Sequence, residues 1–166
     1  MARKVFFSFH YKPDNWRTSQ VRNIGVIEGS KALSDNDWET VTKGGDSAIQ
    51  KWIDDQLKNT SCSVVLIGKE TAGRKWIKYE IEKSWNDGKG LLGIYIHNLK
   101  DSSGNTTTQG ANPFDDFTMK KDSSKLSSIV KVFNPPFTDS KQVYGHIQGN
   151  IEKWVEEAVK IRANYK

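Results

Sequence analysis

Cys62-Ser63-Val64-Val65-Leu66-Ile67 and Leu91-Leu92-Gly93-Ile94-Tyr95-Ile96 are two strand-length apolar runs, joined through Arg74-Lys75-Trp76-Ile77-Lys78-Tyr79-Glu80-Ile81-Glu82-Lys83-Ser84-Trp85-Asn86. The second run is almost continuously hydrophobic, as expected of a strand covered by helices on both faces of a parallel sheet. In the connecting segment Ile77, Ile81, Ser84 and Trp85 form one helical stripe, and Asp87-Gly88 supplies a stop. The unit therefore reads strand, helix, strand, with a right-handed crossover.

The same alternation extends both ways. Lys4 to Tyr11 is rich in aromatic and β-branched residues and is predicted as the first strand, with Pro13-Asp14 turning into a helix over 15–23. A short second strand is expected near Ala32 and Leu33, followed by a polar loop from Asp35 through Gly44-Gly45. Asp46 is placed to cap a helix whose Ile49, Trp52, Ile53 and Leu57 share a face. Ser128 to Phe133 forms a weaker fifth strand, stopped by Pro135-Pro136. A last helix over 140–163 carries Val143, Ile147, Ile151, Trp154, Val155, Ala158 and Ile161 on one stripe, with Gly145 and Gly149 expected to fray its first half. The pattern predicts an α/β, doubly wound parallel sheet in a single domain spanning 1–166. The polar stretch 98–116 is a long surface loop, either an insertion or a lid.

At 166 residues, 36% hydrophobic and 27% charged, the chain suits one core. No apolar run approaches the roughly 20 residues of a membrane span. His10, Lys12 and Asp14 interrupt the apolar start too early for a signal peptide, and the single cysteine, Cys62, lies in a core strand; a cytoplasmic location is expected. The net charge of +5 is spread among acidic residues rather than gathered into an arm. Nucleic-acid binding is therefore not expected, whereas a small anionic ligand such as a dinucleotide's pyrophosphate suits the balance.

Several chemistries fail at their decisive residues. Gly68 to Trp76 follows a strand and opens a helix, but Gly73 is followed by Arg74-Lys75, with no hydroxyl to hold magnesium as a phosphate-binding loop requires. No Gly-x-Gly-x-x-Gly follows the first strand. His10, His97 and His146 lack zinc-site spacing, and Asp101 to Asn105 lacks the glycine and final glutamate of a calcium loop, so no metal is expected. Ile67-Gly68 stands where a response regulator needs its phosphate-accepting aspartate.

What remains is Trp76 and Glu80, four residues apart. On a helix they lie one above the other, so the indole would shield the carboxylate from water. The helical stripe puts Trp76, Glu80 and Lys83 beside the core face rather than on it. The plain reading, a solvated surface glutamate and a core tryptophan, stays open at this point.

Val5-Phe6-Phe7-Ser8-Phe9-His10 resembles the first strand of TIR (Toll/interleukin-receptor) domains. Asp35 resembles the aspartate that opens the TIR loop after the second strand, and Trp76-x-x-x-Glu80 matches the pattern around the catalytic glutamate of NAD-cleaving TIR domains. More narrowly, Phe6 to Tyr11, Val21-Arg22-Asn23, Val65 to Gly68, Trp76 to Glu80 and Asn112-Pro113-Phe114-Asp115 are similar to the TIR-like (ThsB-type) component of the bacterial Thoeris antiphage defence system. His10, where arginine is frequent, and the long 98–116 loop depart from common TIR domains.

The resemblance implies a flavodoxin-like sheet of about five strands in the order 2-1-3-4-5. It also implies an enzyme, an NAD nucleosidase or ADP-ribosyl cyclase, that releases nicotinamide and makes a cyclic ADP-ribose-type signal. NAD is then substrate rather than cofactor, a separate effector senses the product, and self-association accompanies activity.

Such cleavage passes through an oxocarbenium-like state in which the cationic pyridine departs neutral, so one carboxylate suffices. The implied catalytic residue is Glu80, with Ser8, Phe9, His10, Asp35, Trp38 and Trp76 as substrate-binding residues. Ser8 would bond ribose or phosphate, Phe9 or Trp38 would stack on a ring, and His10 would contact the pyrophosphate. In that fold the crevice opens beyond strands 1 and 3, where Ser8 to His10 would face Gly68 and the Glu80 helix. The alternatives are a noncatalytic TIR-like interaction module, with Glu80 paired to Lys83, and an N-ribosyl transferase or hydrolase acting on another base.

Overall fold

The computed structural model describes residues 3–24 and 41–165. Four parallel strands, β1 (Val5–Ser8), β2 (Cys62–Ile67), β3 (Gly90–Tyr95) and β4 (Val132–Phe133), lie in the order β1-β2-β3-β4. They correspond to the expected strands 1, 3, 4 and 5. The expected second strand near Ala32 and Leu33 lies outside the described residues, as do Asp35 and Trp38.

Alternation along each strand divides the core between two faces. Val5 and Phe7 of β1, with Val64 and Leu66 of β2, join Val21 of helix α1 (Tyr11–Arg22) and Val143, Ile147, Ile151 and Trp154 of helix α4 (Ser140–Asn164). Val65 and Ile67 turn the other way, onto Ile77, Ile81 and Trp85 of helix α3 (Lys75–Asn86). Phe6 packs with Ile49, Ile53 and Leu57 of helix α2 (Gly45–Leu57). Cys62 is buried at the start of β2, where loss of hydration pushes its thiol up to about 12.

Several boundaries differ from the sequence reading. The first strand ends at Ser8, and α1 begins at Tyr11 rather than near residue 15. Pro13 sits in the first helical turn, where its missing N–H is no loss, so it does not delay the helix. Asp46 lies inside α2 and does not cap it; Gly44 is the cap residue, and Asp46 pairs with Lys75 instead. Helix α4 runs unbroken through Gly145 and Gly149, because Val143, Ile147 and Ile151 are fully packed and Asp139 accepts a capping hydrogen bond from the Gln142 amide. The fifth expected strand shrinks to two residues, since Leu126–Ser128 closes into a 3-10 turn. Among the described residues no helix is long and apolar enough to cross a membrane.

Candidate active site

Helix α3 is pinned to the sheet by a hydroxyl pair, Ser63 Oγ and Ser84 Oγ, 2.7 Å apart. One turn earlier on the same side stands Glu80. Phe6 and Ser8 point to the α3 face of β1, opposite to Phe7, so Ser8 meets Glu80 at the carboxyl end of the strand.

Glu80 is only 6% exposed. The helical stripe had set it beside the core; β1, brought in from seventy residues away, buries it. Burial pushes its carboxyl up to about 8, opposed by the Ser8 hydroxyl, and among the described residues no cation offsets the loss of hydration. Ser8 is itself buried, and its Oγ forms no hydrogen bond of standard geometry among the described residues. Lys83 does not pair with Glu80: its ammonium lies 3.2 Å from Asp87, which removes the surface pair on which the noncatalytic alternative relied.

Glu80 opens onto a cavity of about 570 Å³, a size that suits a small-molecule site. Phe9, His10 and Trp76 line it with Glu80. Phe9 is half-buried and tilted against Tyr11, ring centroids 6.0 Å apart. His10 occupies the cap position of α1. Trp76 meets Tyr79 edge to face at 5.6 Å and packs with the Phe6 and α2 cluster. Trp76 and Glu80 thus share one cavity wall. The cavity also takes in residues to which the sequence reading gave no part in the site: Arg22, Trp52, Glu70 and the segment from Ala72 through Lys75. That segment fails as a phosphate loop yet forms a wall.

Gly68, expected to face the crevice, does not line it. A Cβ at Gly68 would collide with the Asp14 carboxylate, and one at Gly110 would collide with the Gly68 carbonyl. The Gly68 amide also donates to Thr71 Oγ1 at 2.8 Å. Held in this way, the chain leaves β2 in one direction and places Glu70 through Lys75 over the cavity. The 98–116 loop is accordingly packed against the scaffold. Arg17 donates to the Leu99 carbonyl at 2.8 Å and the Asn105 carbonyl at 2.9 Å, the Thr107 amide donates to the His97 carbonyl at 2.9 Å, and Phe114 is fully buried.

Residues 6–101 match the family model described as Thoeris protein ThsB, TIR-like domain. The chain belongs to the ThsB TIR-like family. The match runs from Phe6 in β1 through β3 and includes both Glu80 and Arg22. A relative from Bacillus cereus (strain MSX-D12), named "Putative cyclic ADP-D-ribose synthase ThsB1", is 41% identical over 120 residues, covering 69% of this chain. The aligned stretch covers 62% of that relative, less than two thirds of its length. The α/β sheet flanked by helices is the architecture expected of a ThsB TIR-like domain.

Proposed function

We propose that this ThsB TIR-like domain binds NAD in the cavity and splits its nicotinamide N-glycosidic bond, with Glu80 as the catalytic residue. The observation that carries the proposal is a buried carboxyl without a counter-cation among the described residues, on the wall of a ligand-sized cavity that it shares with Phe6 and Phe7 of β1. The name of the Bacillus cereus relative supports a cyclic ADP-ribose as the product class.

Before substrate binds, burial keeps Glu80 mostly protonated near neutral pH. Arrival of the cationic nicotinamide ring favours the ionised form, because an opposite charge at close range stabilises it. The carboxylate then steadies the ribosyl cation as the pyridine leaves as a neutral base. The ribosyl–nitrogen bond breaks with its electron pair on the ring, so the leaving group needs no proton. A hydroxyl oxygen or ring nitrogen of the adenosine half, held close, closes the cycle on the ribosyl carbon and releases a proton. Because the ionised carboxylate is the working form, kcat/KM for NAD is expected to rise with pH to about 8 and level off above it.

In the same reading Phe9 and Trp76 bound the ring site, and His10, Asp35 and Trp38 complete the substrate contacts; Ser8, expected to bond ribose or phosphate, is 1% exposed and does not line the cavity, so it acts through Glu80 instead. The proposal extends to antiphage signalling in the cytoplasm, self-association for activity and a downstream effector that senses the product. NAD serves as substrate, without a resident cofactor.

Purified protein incubated with NAD and followed by chromatography and mass spectrometry tests the assignment. Glu80→Gln is expected to lower nicotinamide release about 10²- to 10³-fold. Release that survives this substitution would reject Glu80. If both proteins are silent in vitro, nucleotide pools of phage-infected cells decide, and unaltered pools would reject the reaction.

A further inference from the structure

Arg22 ends α1 on the cavity wall, and its guanidinium carbon lies 5.8 Å from the centroid of the Phe7 ring. Its Nε is buried and has no hydrogen-bond partner among the described residues. No carboxylate there pairs with it, and burial pulls its pKa below the usual arginine range. Arg17, five residues earlier, shows what a satisfied guanidinium looks like in this fold: it donates to three carbonyls and to the Asp14 carboxylate. Of the other cations on the wall, Lys75 is engaged by Asp46 and Arg74 sits at the cap position of α3. Glu70 lines the same cavity without contributing to the Arg22 balance. A buried donor without an acceptor is costly, and a native structure that keeps one calls for an explanation.

We infer that Arg22 is the anion subsite of this cavity and takes the diphosphate of a dinucleotide whose cationic end lies at Glu80. The inference rests on the dinucleotide reading above. A guanidinium presents a planar fork that matches phosphate oxygens, and the Phe7 ring beneath it holds that plane in place. The cavity is thereby bipolar: an acid for the pyridinium ribose, and an arginine for the phosphates.

The test compares wild type with Arg22→Met and Arg22→Lys in the full chain. ADP carries the diphosphate without nicotinamide, nicotinamide riboside carries the reverse, and calorimetry reads binding of each. Arg22→Met is expected to weaken ADP binding and raise the KM for NAD about 10- to 100-fold, with kcat and nicotinamide riboside binding little changed. Arg22→Lys recovers part of the loss. Equal ADP binding in wild type and Arg22→Met, or no ADP binding by wild type at millimolar concentration, would overturn the subsite. Equal losses of ADP and nicotinamide riboside would also overturn it, since they would mark a packing role against Phe7. Should Arg22→Met fail to fold, Arg22→Lys decides: a several-fold loss of ADP affinity supports the subsite and an unchanged affinity overturns it. Arg22-dependent ADP binding without nicotinamide release from NAD would leave the subsite standing and reject the reaction assigned to Glu80.

Discussion

Asp14 and Glu80 are both buried, one at 1% exposure and the other at 6%, and burial raises the pKa of both. They differ in what stands beside them. Arg17 Nη1 lies 2.9 Å from Asp14 Oδ1, and the same guanidinium reaches the Leu99 and Asn105 carbonyls, so that acid belongs to a clamp that binds α1 to the 98–116 loop. Glu80 has a serine hydroxyl and a cavity. One buried acid is spent on holding the scaffold, and the other is kept uncompensated where a ligand can supply the missing positive charge. Burial alone does not make a carboxylate a candidate for catalysis; burial on a cavity wall without a counter-cation among the described residues does.

The contrast is most exposed to a change at Arg17. Arg17→Met strands the Asp14 carboxyl and removes the bonds to the Leu99 and Asn105 carbonyls, leaving Gln20 Nε2 on the Lys100 carbonyl, and is expected to cost about 3 to 5 kcal/mol in urea unfolding. A loss below 1 kcal/mol would show that the clamp is dispensable.

Glu80 is expected to behave in the opposite sense. It titrates near 8 in the folded chain and near 4.5 when unfolded. As pH rises between those values the unfolded state releases its proton first, so the folded state loses stability across that window. Glu80→Gln removes this penalty. The variant should match wild type near pH 4 and exceed it by on the order of 2 to 4 kcal/mol at pH 8, read from urea midpoints. A difference that does not vary with pH would erase the distinction between the two acids.

The smallest effect is expected at Ser8. Its hydroxyl lowers the Glu80 pKa, so Ser8→Ala should shift the rising limb of the kcat/KM profile for NAD above pH 8. The accompanying loss of transition-state stabilisation is about 0.5 to 1.5 kcal/mol. An unshifted limb would mean that the Ser8 hydroxyl does not act on the Glu80 carboxyl.

The β2–α3–β3 unit was legible because both strands are covered on two sides, which leaves continuous apolar runs in the chain. The spacing of Trp76 and Glu80 was legible for a similar reason, since helical geometry is local. The start of α1 was misjudged because Pro13 is as compatible with a first helical turn as with a loop. The burial of Glu80 and the position of Arg22 on the cavity wall left no local trace. A stripe on one helix cannot show that β1 will cover the next position, nor that the last turn of α1 will deliver a cation to the same space.

By itself, then, the sequence determined the alternation of strands and helices and the placing of Trp76 and Glu80 one helical turn apart, both consequences of short-range periodicity. Only the tertiary structure decided that the carboxylate is buried beside a serine hydroxyl with no counter-cation among the described residues, and that Arg22 lines the same cavity. Solvation and charge at a site are set by whichever distant segments the fold brings around it.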